Sequence, residues 1–181
     1  VISSVSEHAD NVAPALLGGL VMVKSINPQQ IINLPLLPDL FCFIINPKIQ
    51  VKTSYSREIL PAKIDMNLVT SQVSNFGGLI HSLHTKDYDL LKSSLKDSIV
   101  EQHRKKLIPK FDEVKEKCIE LGALGCSISG SGPSIFAITK GEDLAKKIEE
   151  EVTKIYQETN IEFSTYISKI SSEGVSVIDS E

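Results

Sequence analysis

The sequence has few of the residues that mark disulfide-rich, metal-binding or redox proteins. Its 181 residues include no tryptophan, two methionines and three cysteines. Cys42, Cys118 and Cys126 are scattered and form no Cys-x-x-Cys pair, which excludes the common zinc and dithiol motifs. Cys42 lies in an apolar run and Cys118 on the apolar face of a predicted helix, so both are predicted to be small buried side chains. Cysteines used in this way favour a reducing compartment, and we expect a cytoplasmic protein.

The sequence also lacks long apolar runs and an excess of positive charge. No stretch approaches the roughly 20 apolar residues that a transmembrane helix needs, and no membrane partner is expected. The formal net charge is −4, so no overall positive field would attract nucleic acid. Hydrophobic residues make up 41% of the chain, which is typical of a globular protein with a core of useful size.

Helix and strand patterns are mixed along the chain. The apolar run from Leu40 to Ile45 predicts a central strand that is buried on both faces. Apolar residues at steps of three and four predict helices over Asp65–Leu83 and Phe111–Leu121 and another from Gly141. Two late strands are predicted, at 163–170 and 174–178. The order indicates an α+β fold in which helices cover one face of a mainly antiparallel sheet.

Three local patterns give weaker predictions. Residues 28–38 contain three prolines and are expected to form a loop. Gly77 and Gly78 interrupt a predicted helix, which suggests close contact with a neighbouring backbone. Residues 97–101 are expected to form the end of the preceding helix or a kink in it.

A glycine- and serine-rich stretch, Gly125–Pro133, follows one predicted helix and leads into a predicted strand. Its glycines allow positive φ or a close backbone approach to a ligand, and its serines add hydroxyl donors. Consecutive N–H groups in such a turn can hold an anion, although a plain structural loop fits equally well. The stretch is neither the common phosphate loop, because no lysine follows the last glycine, nor the dinucleotide fingerprint.

Four polar residues elsewhere are candidates for binding a charged ligand. His8 and Asp10 precede a short helix for which Asn11 is the expected N-cap; Asp10 could also be a simple cap and His8 an ordinary loop histidine. Arg57 lies in a short helix capped by Thr53 or Ser54 and could be a solvated surface charge. Arg104 begins an Arg-Lys-Lys run, which is either a solvated helix face or an anion-binding group with bidentate geometry.

Together these stretches resemble a known family. The segment His8-Ala9-Asp10-Asn11-Val12-Ala13-Pro14, followed by Gly18-Gly19, resembles homoserine kinases. So do Thr53-x-x-x-Arg57 and Arg104-Lys105-Lys106-Leu107-Ile108-Pro109. The stretch Gly125–Pro133 resembles the third motif of the wider superfamily of galactokinase, homoserine kinase, mevalonate kinase and phosphomevalonate kinase.

The resemblance implies a two-domain kinase whose active site lies between the domains. Residues 1–25 would be the end of the N-terminal ATP-binding domain, and residues 26–181 a ferredoxin-like C-terminal domain. The family's Pro-x-x-x-Gly-Leu-Gly-Ser-Ser phosphate loop is not in this chain. Its magnesium-holding residues are expected upstream of Val1, which is not an initiator methionine. We therefore expect an N-terminal piece to be missing and these 181 residues alone to be inactive.

The implied reaction is ATP-dependent phosphorylation of the L-homoserine hydroxyl, giving O-phospho-L-homoserine in threonine biosynthesis, with Mg²⁺ as the metal. No residue of this chain is assigned as a catalytic base or a metal ligand. The resemblance implies that five residues bind the amino acid: His8, Asp10, Arg57, Arg104 and Gly130. It places four near the phosphates: Thr53, Ser129, Ser131 and Gly132. The oligomeric state stays open, with a homodimer among the alternatives.

Two other functions remain open at this point. A mevalonate-type kinase would share the glycine-serine stretch but would have no use for two carboxylate-binding arginines. A non-catalytic small-molecule-binding domain of ferredoxin-like shape would explain the missing phosphate loop. A phosphate loop in the roughly 120 residues upstream would favour a kinase, whereas a methionine just before Val1 would favour the binding domain.

Overall fold

The computed structural model describes residues 9–177. Its elements in chain order are α1 Val12–Leu17, β1 Leu20–Ser25, β2 Gln30–Leu34, β3 Leu40–Pro47, α2 Thr53–Glu58, α3 Met66–Thr85, α4 Tyr88–Ser94, α5 Glu101–Arg104, a 3₁₀ turn Lys105–Leu107, α6 Phe111–Leu121, β4 Gly125–Ile128, β5 Ile135–Lys140, α7 Glu142–Gln157 and β6 Phe163–Lys169. Within this range no helix combines the length and the apolar character that crossing a membrane requires.

Within the described residues, one compact unit comprises residues 9–38 and 170–177. Its sheet is the antiparallel pair of β1 and β2, in which Leu20 lies opposite Leu34. The prediction of a loop over residues 28–38 is therefore wrong, because Gln30–Leu34 pairs along β1 despite the prolines on either side. The predicted strand at 174–178 is also wrong for 174–177, which form no strand, and Ile178 lies outside the described residues.

The second unit, Asp39–Lys169, is built on a four-stranded antiparallel sheet in the order β4-β5-β3-β6. Along the chain its elements run strand, helices, two strands, helix, strand, which is the ferredoxin-like arrangement. The α+β class and the ferredoxin-like domain are thus confirmed. The assignment of residues 1–25 and 26–181 to two domains stays a prediction.

The core of the second unit lies between one face of its sheet and helices α6 and α7. Phe43 and Ile45 of β3 are buried on that face, and residues of both helices pack against it: Val114, Cys118, Ala145, Ile148, Val152 and Tyr156. Strand β3 is central in its sheet, as predicted. Cys42 and Ile44 on its opposite face are only half-buried, so the prediction of burial on both faces is wrong for that face. Burial raises the pKa of the Cys42 thiol to about 11.

Helix α3 begins where predicted, but its contact with the neighbouring helix differs from the predicted one. The Asp65 carboxylate caps it by accepting a hydrogen bond from the Asn67 amide at 2.7 Å. A Cβ at Gly78 would collide with the side chain of Ser94 in α4, whereas a Cβ at Gly77 would meet nothing within 4 Å. The predicted backbone contact at the glycine pair is therefore wrong: the close approach involves one glycine and a side chain. It lets α3 and α4 pack together.

Candidate functional site

The first four residues of the glycine-serine stretch form β4, and the rest of it lies in the loop of the hairpin between β4 and β5. The Ser129 amide donates to the Ser134 carbonyl at 2.8 Å, and the Gly132 amide donates to the Ser129 carbonyl at 3.0 Å. Gly130 and Gly132 have φ values of +58° and +83°, which favour glycine. The predicted junction of a helix, a strand, a loop and a second strand is confirmed.

The loop is crowded at one glycine and open at the other. A Cβ at Gly132 would lie 3.0 Å from Ile108 Cδ1 and 3.4 Å from Ile128 Cγ2, whereas a Cβ at Gly130 would meet nothing within 4 Å. Within residues 9–177, no hydrogen bond is made by the amides of Gly130 and Ser131. These two N–H groups are therefore available donors for an anion.

Arg104 joins the loop to helix α2. Its Nε donates to the Ser56 carbonyl at 3.1 Å, and its Nη1 donates to the Gly130 carbonyl at 2.9 Å. The buried Ser56 hydroxyl also donates to the Ser131 carbonyl at 3.2 Å. A guanidinium has five N–H donors, and two of them make these bonds within residues 9–177. The structure therefore brings Arg104, Gly130 and Ser131 together.

Arg57 and Thr53 lie on α2, and both are exposed. The carbonyl that accepts from Arg104 Nε belongs to Ser56, the residue before Arg57, so the backbone at Arg57 is close to Arg104. The convergence of the two guanidinium groups on one ligand stays a prediction. The expected cap is wrong, because Lys52 is the N-cap and no side chain caps the helix; Thr53 and Ser54 are instead among its exposed residues.

Asp10 belongs to the first unit. It is exposed in the turn that precedes α1. Asn11 is the N-cap residue of that helix, as predicted, although its side chain makes no capping hydrogen bond within the described residues. His8 lies outside the described residues.

Two acidic residues that the sequence analysis missed fix the position of α5. Asp97 Oδ1 accepts from the amides of Ile99 and Val100 at 2.9 and 2.8 Å, and its Oδ2 accepts from the Glu101 amide at 3.2 Å. Residues 97–101 are therefore a capped turn that starts α5, and their prediction as the end or kink of the preceding helix is wrong. An aspartate four positions before the helix was the only local signal.

Glu101 is the second missed residue. Its side chain is 11% exposed and forms an ion pair with Lys115 of α6. It also accepts a hydrogen bond from the Ser127 hydroxyl of β4 at 2.7 Å. Both partners are distant in sequence, so no local pattern could have indicated this contact.

The described residues suit the phosphates of ATP better than they suit Mg²⁺. The loop amides are suitable donors for a phosphate, and Arg104 adds positive charge beside them. Within residues 9–177, no group of three or more histidine, cysteine, aspartate or glutamate residues could hold a metal ion. This part of the chain could therefore contribute to phosphate binding but supplies no evident divalent-cation site.

Comparisons with known proteins show which kinases the chain is similar to. A family model described as "GHMP kinases C terminal" matches residues 79–158. The chain is 41% identical over 175 residues to a homoserine kinase of Chlorobium phaeobacteroides (strain BS1), with 96% of the chain and 55% of that protein covered. It is 37% identical over 174 residues to a homoserine kinase of Methanococcus vannielii, with 93% and 56% covered. The chain thus spans about half the length of the curated relatives it matches.

Solved structures of two kinases have a similar fold. The crystal structure of homoserine kinase from Cytophaga hutchinsonii superimposes with a TM-score of 0.90 at 44% identity, covering 93% of this chain and 54% of that one. The L. major mevalonate kinase in complex with R-mevalonate gives a TM-score of 0.72 at 15% identity, covering 93% and 55%, which is a likeness of fold alone.

Proposed function

We propose that the intact protein is a homoserine kinase, because a model of the GHMP kinase C-terminal family matches residues 79–158 and the chain is 38–41% identical to homoserine kinases over most of its length. It would transfer the terminal phosphate of ATP to the side-chain hydroxyl of L-homoserine. The product, O-phospho-L-homoserine, would enter threonine biosynthesis. The observation that carries the proposal is the identity of about 40% to homoserine kinases across nearly the whole chain.

The amino acid substrate carries a carboxylate and an ammonium group as well as the reacting hydroxyl. Arg104 supports the proposal because, within the described residues, its guanidinium uses two of its five donors, on two backbone carbonyls. We assign it, together with Arg57, to the substrate carboxylate, since a planar fork of donors matches that group. Asp10 would accept from the ammonium and His8 would orient a polar group of the same substrate.

The glycine-serine loop would act on the phosphates. Ser129, Ser131, Gly132 and Thr53 would lie near the nucleotide's phosphates, where the Ser131 amide could donate to an anion. Gly130 would lie beside the amino acid substrate. Phosphoryl transfer depends on in-line positioning and charge neutralisation more than on a strong base, so no base is assigned. ATP would supply the phosphate, and Mg²⁺ would neutralise its charge through residues outside this chain.

Substitution of the two arginines tests the substrate assignment. Loss of a hydrogen bond to a charged group costs about 1.5–3 kcal/mol, so Arg57→Ala and Arg104→Ala should each lower kcat/KM for L-homoserine about ten- to a hundredfold. Lys106→Ala is the matched control, because Lys106 lies in the same basic run but is exposed in the 3₁₀ turn. A coupled ADP-release assay on the intact protein measures all three. Unchanged kinetics in both arginine variants would refute the assignment.

A further inference from the structure

Glu101 is the only charged residue that is buried within residues 9–177. Each of its carboxylate oxygens has one partner: Oε1 pairs with Lys115, and Oε2 accepts from Ser127 Oγ at 2.7 Å. A buried carboxylate with both oxygens bound is held in one place, because release of either contact would leave a desolvated charge. The Glu101 side chain therefore has a fixed position in the second unit.

The helix that Glu101 begins is too short to be stable by itself. Helix α5 has four residues, and isolated helices of that length do not form in water. Asp97 accepts from the amide of its first residue, Glu101, and the Glu101 side chain attaches the helix to α6 and β4. These contacts, and not helix propensity, determine where the rest of α5 lies.

Arg104 lies three positions after Glu101, on the neighbouring part of the same helical face. Glu101 binds Ser127, and Arg104 binds Gly130, three residues further along the same segment. Helix α5 thus contacts the β4–loop segment at two successive points. Loss of the first contact would free α5 to shift, and Arg104 would shift with it relative to the Gly130 carbonyl.

We propose that Glu101 is a positioning residue. Its contacts with Ser127 and Lys115 determine the positions of Arg104 and of the Gly130–Gly132 loop for substrate binding. Glu101 itself does not touch the substrate in this account. The proposal rests on the proposed function for its kinetic consequences, whereas its structural part, the coupling between Glu101 and the loop, can be measured without any substrate.

Kinetics on the intact protein test the first part. Glu101→Gln keeps an acceptor for Ser127 but removes the charge that pairs with Lys115, and Ser127→Ala removes the contact to β4 while the ion pair remains. We expect KM for homoserine to rise about tenfold in Glu101→Gln and severalfold in Ser127→Ala, with a smaller change in kcat. In an Arg104→Ala background, Glu101→Gln should cause no further rise, because both changes remove the same interaction. Independent, multiplicative effects of the two substitutions would overturn the proposal.

Amide hydrogen exchange of residues 128–134, followed by mass spectrometry, tests the second part. Exchange in the loop should quicken in Glu101→Gln and in Ser127→Ala. The matched control is Glu120→Gln, which breaks an exposed ion pair with Lys117 on α6 and should leave the loop unchanged. If the wild type does not phosphorylate homoserine but the loop exchanges faster in both variants, the proposed function fails and the positioning role stands. Unchanged loop exchange in folded Ser127→Ala overturns the positioning role whatever the enzyme's activity.

Discussion

Replacement of the two loop glycines by alanine separates backbone strain from crowding at the candidate site. Both have positive φ, +58° at Gly130 and +83° at Gly132. Only at Gly132 would a new methyl group meet a buried side chain, Ile108, whose Cδ1 lies 3.0 Å from the Cβ position. Gly130→Ala is thus the matched control for Gly132→Ala.

The structure indicates how much free energy of unfolding each variant should lose. A left-handed conformation costs a residue with a Cβ roughly 1–2 kcal/mol, and Gly130→Ala should lose about that much free energy of unfolding. Gly132→Ala bears the same cost and must also displace Ile108 within a packed core, which adds about 1–3 kcal/mol. For a chain of this size, 1 kcal/mol corresponds to about 2–4 °C in Tm.

Urea denaturation followed by far-UV circular dichroism measures both changes. The free energy of unfolding should fall about 1–3 kcal/mol further in Gly132→Ala than in Gly130→Ala. Equal destabilisation of the two variants would refute the reasoning, because it would mean that Ile108 does not restrict the loop.

Three further variants test the packing. Gly77→Ala should raise the free energy of unfolding by about 0.5–1 kcal/mol, since alanine favours a helix and its methyl group meets nothing; Gly78→Ala should lower it, because its methyl group collides with the buried Ser94. Urea titration of both variants checks this, and two changes of the same sign would contradict it. Tyr156→Phe removes a 2.7 Å hydrogen bond to the Pro109 carbonyl and should cost about 1 kcal/mol at neutral pH. Burial raises the pKa of Tyr156 to about 12 from its ordinary value of 10, so the unfolded state loses that proton first, and this contribution to stability falls as the pH rises from 10 to 12. Over that range the free energy of unfolding of the wild type should therefore fall from about 1 kcal/mol above that of Tyr156→Phe to below it; a constant difference would be inconsistent with the buried phenol.

The elements that the sequence predicted well are those whose signal is local. Helix α6 spans Phe111–Leu121 as its apolar period indicates, and β3 follows its apolar run. Strand β2 was missed because it is defined by pairing with β1, which its own five residues and the nearby prolines do not reveal. The contact at Gly78 depends in the same way on where α4 packs.

In the candidate site, too, the features with a local signal were predicted and those that depend on tertiary contacts were missed. Residue types made Arg104 and the glycine-serine loop candidates for anion binding, and the resemblance to homoserine kinases implied their roles. The hydrogen bonds that join them end on the main-chain carbonyls of Ser56 and Gly130, which carry no sequence signal. Glu101 was missed because its partners lie 14 and 26 residues away, and only the fold brings them together.

Identification of the phosphorylated product tests the central proposal most directly. The intact protein, incubated with ATP, Mg²⁺ and L-homoserine, should yield O-phospho-L-homoserine in amounts equal to the ADP released, as seen by ³¹P NMR. Mevalonate in place of homoserine should give no phosphorylated product. Absence of a phosphorylated amino acid from an intact, folded protein, or phosphorylation of mevalonate in its place, would contradict the account.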